Sequence, residues 1–260
     1  MAAKKKTRTD QSKTVSVRTP AITEIPLKEY ASRRTAMLKN LRGAAALVFA
    51  GTGEEPLLGI WQPNPHFAYL TGITDEPGAV LLLDPKAQDP RRKSVLFLKH
   101  HDPEVELWHG YRDRIGESLK ARYGMDSVMR LGALPRVLTQ VARLTKTFAV
   151  LHDPAMPGAP VRADLAMYRK LAERVVGVAI EDRTGLLPGM RSTKSRAEIA
   201  LMERALGITA SGFEAAIAAL KPGADEADVT TSLVRAFEDA GGQGLAYNPI
   251  VGAGLNSTVL

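Results

Sequence analysis

The chain has 260 residues, of which 45% are hydrophobic, and this is enough apolar side chain for one large domain or two ordinary ones. It contains no cysteine, which excludes disulfides, cysteine-ligated zinc and thiol nucleophiles. The net charge is +7, but residues 1–20 hold six lysines or arginines against one aspartate, so most of the excess lies there. Because residues 1–22 also lack apolar periodicity, the sequence predicts a disordered basic tail.

This basic tail does not indicate a nucleic-acid or membrane partner. No aromatic residue stands among its charges to stack on bases. Residues 4–6 are lysines, yet the apolar core of a signal peptide does not follow them. The longest apolar stretches, residues 44–50 and 79–83, are far shorter than the roughly 20 residues that cross a bilayer. We therefore expect a soluble, cytoplasmic protein that binds neither nucleic acid nor membrane.

From residue 27 to residue 180, short apolar runs alternate with helical patterns, which is typical of an α/β domain. The patterns predict helices at residues 27–41, 115–122, 134–144 and 163–173. They predict strands at residues 44–50, 79–83, 95–99, 148–151 and 175–180. Residues 181–192 contain two glycines and a proline, and we expect them to form the connection to a second domain.

A long helix is predicted after this connection. Ser195 and Glu198 have the spacing of a capping box, which marks a helix start, and residues 221–223 (Lys-Pro-Gly) end the pattern. Apolar or small residues recur every three or four positions, so we expect one buried face made of Ile199, Met202, Leu206, Thr209, Phe213, Ile217 and Leu220.

A second helix is predicted to follow at once. Asp225 is its expected N-cap, and the glycines at 241 and 242 end it. One face of this helix is formed by Val229, Leu233, Phe237 and Ala240. Two adjacent amphipathic helices need an apolar surface to cover, for which a sheet is the natural candidate, and a first strand is predicted at residues 246–251.

No complete catalytic constellation emerges from the residues alone. Gly51 and Gly53 follow a predicted strand as in a dinucleotide-binding loop, but Pro56 stands where the third glycine belongs, so a plain turn is predicted. His100 and His101 are adjacent, and neighbouring strand residues point to opposite faces, which argues against a shared metal ion. Serine nucleophile elbows, His-Glu-x-x-His and Walker loops do not occur.

Several strings, in this order and spacing, nevertheless resemble aminopeptidase P, the Xaa-Pro aminopeptidases of the creatinase and methionine aminopeptidase-like ("pita-bread") superfamily. They are RR at 33–34, HFAYLTG at 66–72, EPGAVL at 76–81, ELWHGYR at 106–112, MRSTKS with EI between 190 and 199, and YNPIVG at 247–252. One departure lies before the second string: the family usually has an aromatic residue followed by Arg-Gln, whereas this chain has Ile60-Trp61-Gln62-Pro63-Asn64-Pro65, so the arginine is replaced. This departure puts local contacts in doubt, but not the fold.

The resemblance implies an architecture. Residues 23–182 would form a creatinase-like α/β amino-terminal domain with a mixed sheet, and residues 183–260 would form the first part of an incomplete α+β pita-bread domain. Members release the amino-terminal residue from peptides with proline second, using two divalent metal ions, commonly manganese, that activate a bridging hydroxide. In the family, the catalytic histidine and all the metal ligands come after the position of Leu260. We therefore assign no catalytic or metal-binding residue here and expect this chain alone to bind no metal pair and to be inactive.

The resemblance also implies three substrate-binding residues and an assembly. Trp108 corresponds to a tryptophan that reaches a neighbouring subunit's active site in a homo-oligomer, a dimer or tetramer, and flanks the peptide beyond its proline. Tyr247 and Asn248 lie on the strand that enters the catalytic domain and would line the pocket. The alternatives are a Trp108 that is half-buried in its own domain, and a Tyr247 and Asn248 that are ordinary strand and turn residues.

Two other functions stay open at this point. A prolidase or creatinase relative would share the fold, but prolidase takes only dipeptides and creatinase uses no metal. The Trp108 string favours aminopeptidase P over creatinase. Superfamily members without metal ligands act in protein recognition, so a non-enzymatic binding or assembly module is the remaining alternative.

Overall fold

The computed structural model describes residues 24–51, 61–102, 104, 106–107 and 112–258. Its contacts divide the chain into two compact units; among the described residues, one consists of residues 25–195 and the other of residue 24 with residues 196–258. The division falls at Ser195 and Arg196, whereas the sequence predicted a domain boundary between residues 182 and 183. Among the described residues, no helix combines the length and the apolar character that a bilayer span requires.

The first unit alternates helices and strands along the chain. Its helices are α1 (Leu27–Asn40), α2 (Pro65–Thr71), α3 (Glu117–Tyr123), α4 (Leu134–Leu144), α5 (Ala163–Ala172) and α6 (Leu186–Ser192). Its strands are β1 (Ala45–Phe49), β2 (Val80–Leu83), β3 (Ser94–Leu98), β4 (Ser127–Arg130), β5 (Thr147–Val150) and β6 (Ala179–Asp182).

The six strands form one mixed sheet in the order β4-β3-β2-β1-β5-β6. The central pairs β1–β2 and β2–β3 are antiparallel, and the outer pairs β3–β4, β1–β5 and β5–β6 are parallel. The α/β fold with a mixed sheet is therefore confirmed. The register sets Leu47 opposite Leu82 and Phe49 opposite Val80.

Both faces of the central strands are buried, which explains why these strands read as continuous apolar runs. On one face, Val48, Leu81 and Leu96 join a core that also contains residues of α1, α2, α3 and α6. On the other face, Leu47 and Phe97 join a core that contains residues of α4 and α5. Consecutive strand residues point to opposite faces, so each apolar residue enters one of the two cores.

Tyr168 of α5 ties the second core to the sheet. Its side chain is fully buried, and its hydroxyl accepts a hydrogen bond from the Leu47 amide at 2.7 Å and lies 3.4 Å from the Ala149 carbonyl oxygen. The paired residues of β1 and β5 include Ala46 and Ala149. The hydroxyl thus supplies the partner that the Leu47 amide needs at this point in the sheet.

Several elements of the first unit differ from the sequence prediction. Helix α2 and strand β4 were not predicted, because both are short and β4 carries only two apolar residues, Val128 and Met129. The predicted strand at 175–180 begins only at Ala179, since Gly177 adopts a φ of +81° in the preceding turn. Residues 181–192 were expected to be a connection, but they contain the end of β6 and helix α6. Leu187 of α6 is fully buried in the first core, which makes this helix part of the unit.

The second unit consists of two long helices and an irregular segment. Helix α7 (Arg196–Ala219) begins directly after Ser195, and helix α8 (Glu226–Asp239) begins after Asp225, whose carboxylate accepts from the Asp228 amide at 2.8 Å. The predicted N-cap is thus confirmed. The helices approach closely at Gly212, where an added Cβ would lie 2.0 Å from the Phe237 ring.

Two predictions for the second unit are wrong. Six of the large apolar residues expected in the buried face of the predicted helix are between 45% and 69% exposed: Ile199, Met202, Leu206, Phe213 and Ile217 of α7, and Leu220 directly after it. Among the described residues, α8 packs against a different side of α7, the side that carries Gly212. Residues 246–251 form no strand and are irregular, since a strand needs a hydrogen-bonded neighbour and no described strand pairs with them.

Candidate functional site

The predicted substrate residues Tyr247 and Asn248 lie on the irregular segment after α8. Both side chains are exposed, Tyr247 at 77%. Tyr247 lines a groove of about 720 Å³ between α7, α8 and the following segment. The groove is mainly apolar, and its lining includes Leu201, Ile208, Phe213, Leu233, Phe237 and Ile250. Such a surface can hold an apolar group, and the assignment of Tyr247 and Asn248 to substrate stays a prediction.

Trp108, the third predicted substrate residue, lies outside the described residues. The chain on either side of it is held by polar contacts to the first unit. The Arg130 guanidinium contacts both sides: before Trp108 it donates to the Lys99 carbonyl at 2.9 Å and lies 2.6 Å from Nε2 of His101, and after Trp108 it donates to the Asp113 carbonyl at 2.6 Å. Nδ1 of His101 lies 2.8 Å from the carboxylate of Glu106.

A second set of contacts holds the chain after Trp108. The Glu76 carboxylate accepts from the Arg112 guanidinium at 3.1 Å and from the Tyr123 hydroxyl at 3.0 Å. The side chains of Glu76 and Arg112 are only 14% and 17% exposed, so water screens this ion pair weakly. Burial, with the nearby charge of Glu76, raises the pKa of Tyr123, so its hydroxyl remains a donor.

A histidine cluster in the first unit was missed in the sequence because its members are far apart in the chain. The ring centroids of His66 (α2) and His152 (after β5) lie 6.0 Å apart, and Arg191 of α6 lies 3.3 Å from Nδ1 of His66. Burial lowers the pKa of His66, and the charges of Arg191 and His152 lower it further. His66 is in α2 and His152 follows β5, so only the folded chain brings the two rings together.

His152 is held in one neutral tautomer. Its Nε2 accepts from the Phe49 amide at 3.2 Å, so the ring proton must be on Nδ1. That Nδ1 and Oδ2 of Asp164 are both buried and have no hydrogen-bond partner among the described residues. Burial lowers the pKa of His152, against the opposing effect of the Asp164 carboxylate. The cluster is titratable, and it contains no serine or threonine nucleophile.

A metal site is not offered by the residues that the structure describes. Within that part of the chain, no three histidine or carboxylate side chains converge as ligands for an ion. His100 and His101 turn to different surroundings: an added Cβ on Gly132 would lie 2.6 Å from the His100 ring, whereas His101 contacts Arg130 and Glu106. These donor sets do not fit a dinuclear centre, which prefers several carboxylates around two ions.

Comparison with known protein families gives two matches along the chain. Residues 30–150 match the model described as "Aminopeptidase P, N-terminal domain". Residues 200–260 match the model of "Metallopeptidase family M24". The first match lies within the unit that contains the mixed sheet, and the second includes α7, α8 and the segment with Tyr247.

Individual proteins agree with these matches. The chain is 30% identical over 251 residues to the Xaa-Pro aminopeptidase of Escherichia coli K12, which covers 92% of this chain and 55% of that protein. The structure of Pseudomonas aeruginosa aminopeptidase PepP superposes with a TM-score of 0.76 at 27% identity and covers 91% of this chain and 54% of that one. Zinc-substituted E. coli aminopeptidase P in complex with product gives a TM-score of 0.75 at 27% identity, with 92% and 55% covered.

The chain thus spans about half the length of these relatives. Both family matches follow the order expected from the strings between residues 33 and 252. Residues 30–150 are therefore similar to the aminopeptidase P amino-terminal domain and residues 200–260 to metallopeptidase family M24, which confirms the resemblance seen in the sequence.

Proposed function

We propose that this chain supplies the amino-terminal domain and the first part of the catalytic domain of a Xaa-Pro aminopeptidase. Such an enzyme releases the amino-terminal residue from peptides whose second residue is proline. The observation that carries the proposal is the alignment with an E. coli Xaa-Pro aminopeptidase over 92% of this chain, together with the two family matches in order. The predicted domains, 23–182 and 183–260, belong to this proposal.

The metal ions of the proposed enzyme are two divalent cations, with manganese as the expected species. One of the similar structures is a zinc-substituted aminopeptidase P, which supports divalent metal use in that protein. The described residues of this chain lack the convergent carboxylate and imidazole set for such a pair. We propose, as the resemblance implies, that this chain alone holds no metal pair and is inactive.

The contribution of this chain is then on the substrate side. Trp108 is proposed to flank the peptide beyond its proline in a neighbouring subunit, which requires a homo-oligomer. Tyr247 and Asn248 are proposed to border the substrate pocket. The apolar groove that Tyr247 lines supports this role, since a tyrosine offers apolar area together with a hydroxyl that can hydrogen-bond. We further propose a cytoplasmic enzyme with peptides, rather than nucleic acids, as partners.

Peptidase assays of two proteins test the proposal. The 260-residue chain, purified and supplied with manganese and a tripeptide such as Gly-Pro-Ala, is expected to release no glycine. A gene product that continues beyond residue 260 is expected to release it, and Trp108→Ala in that product is expected to raise KM. Turnover by the 260-residue chain would contradict the assignment of the metal ligands.

The same assays separate the alternatives. Cleavage restricted to dipeptides would indicate a prolidase, and hydrolysis of creatine without metal would indicate a creatinase. If no product continues past residue 260, the chain is a binding or assembly module. For such a module, limited proteolysis should leave residues 196–258 intact. If the chain is instead part of an enzyme, the exposed apolar side chains of α7 predict rapid cleavage of this region.

A further inference from the structure

The irregular segment after α8 runs back along that helix from one end to the other. It leaves α8 at Gly242, whose amide donates to the Phe237 carbonyl at 2.8 Å. It reaches the opposite end at Ala253, whose amide donates to the carboxylate of Glu226, the first residue of α8, at 2.8 Å. A helix of 14 residues is roughly 21 Å long, so the residues between these two contacts span the whole of α8.

Glu226 binds the segment through a single oxygen atom. Its Oε1 accepts from the side-chain amide of Asn256 at 2.9 Å and from the Ala253 amide at 2.8 Å. The hydrogen bonds from Asn256 and Ala253 hold the pKa of the Glu226 carboxyl below its ordinary value, so the group is an anion at neutral pH. Hydrogen bonds to an ionised carboxylate are among the stronger ones in proteins. One side chain therefore holds the far end of the segment.

The chain is tightly folded where Glu226 holds it. An added Cβ on Gly252 would lie 3.0 Å from the Asn256 carbonyl oxygen, and Gly254 adopts a φ of +55°. The following residues, Gly254–Thr258, form a short 3₁₀ turn. In the part of the chain that the structure describes, residues 243–252 make no hydrogen bond to α7 or α8. The contacts at Glu226 are thus the polar hold at this end of the segment.

The same segment is one wall of the apolar groove between α7 and α8. On this side the groove is lined by Leu245, Ala246, Tyr247, Pro249, Ile250 and Val251. Tyr247 stands about midway between Gly242 and Ala253, and Asn248 follows it. Loss of the hold at Glu226 would therefore loosen the stretch that carries both residues.

We infer that Glu226 is a positioning residue that fixes Tyr247 and Asn248 at the substrate pocket of the proposed enzyme. The inference rests on the proposed function, in which these two residues border the peptide. Ordering a loose wall when substrate binds would weaken binding, and a wall that is fixed beforehand removes part of that cost. Glu226 acts through the segment and does not touch the substrate.

Hydrogen exchange of the 260-residue chain, followed by NMR, tests the anchoring. Glu226→Ala removes both contacts, so the Ala253 amide is expected to exchange roughly tenfold faster, because its protection depends on local opening of this hydrogen bond. Glu226→Gln is the matched variant: its side-chain oxygen can accept from the same two donors, although the charge is lost. It should exchange at nearly the parent rate. Equally fast exchange in the two variants would assign the effect to charge alone and overturn the inference.

A second variant covers the case in which Glu226→Ala does not fold. Asn256→Ala removes one of the two donors without changing α8, and it is expected to speed exchange at Ala253 to a smaller extent. Glu214→Ala is the control, because Glu214 is an exposed carboxylate of α7 that makes no contact of this kind within the described residues, and it should leave the exchange unchanged. Unchanged exchange at Ala253 in folded Glu226→Ala or Asn256→Ala overturns the inference.

Kinetics of a catalytically active longer product test the link to substrate. Glu226→Ala is expected to raise KM severalfold with kcat nearly unchanged, and Glu226→Gln is expected to have the parent KM. Faster exchange with an unchanged KM would overturn the inference by rejecting the role of Tyr247 and Asn248. A longer product that cleaves no peptide with proline second would refute the proposed function instead, while the exchange rates would still decide whether Glu226 anchors the segment.

Discussion

Replacing Tyr168 by phenylalanine removes one oxygen atom from the interior of the first unit. The ring stays, and with it the contact to Phe148, whose ring centroid lies 5.0 Å away. The Leu47 amide, which donates to the hydroxyl at 2.7 Å, loses its partner in a site where Tyr168 and Leu47 are both fully buried. Leaving such a donor unsatisfied costs about 1–3 kcal/mol of stability.

Urea unfolding followed by near-UV circular dichroism measures this cost, because that signal reports the packed aromatic residues. With a urea dependence of about 2 kcal/mol per molar, a loss of about 2 kcal/mol moves the unfolding midpoint down by roughly 1 M. The slope of the unfolding free energy against urea concentration should not change, because removing one oxygen atom leaves the surface exposed on unfolding almost the same. The amide of Leu47 should also exchange with deuterium faster than in the parent protein.

Tyr247→Phe serves as the control, because that side chain is 77% exposed. Its midpoint should stay within about 0.2 M of the parent value, as surface substitutions usually change stability by less than 0.5 kcal/mol. An equally small shift for Tyr168→Phe would refute the claim that the hydroxyl satisfies a buried strand amide. A change in slope would indicate instead that the variant alters the compactness of one state.

Two further predictions concern packing and pH. Gly212→Ala places a Cβ 2.0 Å from the Phe237 ring, so it should destabilise the α7–α8 pair by about 1–3 kcal/mol. Thermal melting followed by the helical circular dichroism signal measures this loss. Gly207→Ala is the control: its Cβ has open space around it, so it should not lower the melting temperature. The neutral forms of His66 and His152 are favoured in the folded state because both pKa values lie below their ordinary value of 6.5. The unfolded chain therefore binds protons first, so stability should be full above about pH 6.5 and decline as the pH falls below it. Urea midpoints at pH 7.5 and 5.5 should differ less for His152→Gln than for the parent, and equal differences would contradict the assignment.

Helix ends and central strands followed from the sequence because their causes are local. Asp225 caps α8 through an amide three residues away, and α4 was predicted with the bounds that the structure has, Leu134–Leu144. The apolar runs of β1, β2 and β3 were recognisable because both of their faces are buried. Strand β4 was missed because only its pairing with β3 identifies it.

The candidate site residues came from strings that resemble a family, whereas the contacts around them depend on distant parts of the chain. Arg130 meets Lys99 and Asp113 only because β4 lies beside β3, and no local pattern reports that pairing. His66 and His152 also approach each other only in the folded chain, because they are 86 positions apart in the sequence.

The sequence by itself determined the α/β class, the helix caps and the order of the family strings, since each depends on residues that are neighbours along the chain. The tertiary structure alone decided the strand order, the anchors on either side of Trp108 and the exposure of the apolar face of α7. That face illustrates the physical reason. Periodicity shows that Leu206 and Phe213 lie on one side of a helix, but burial depends on what packs against that side.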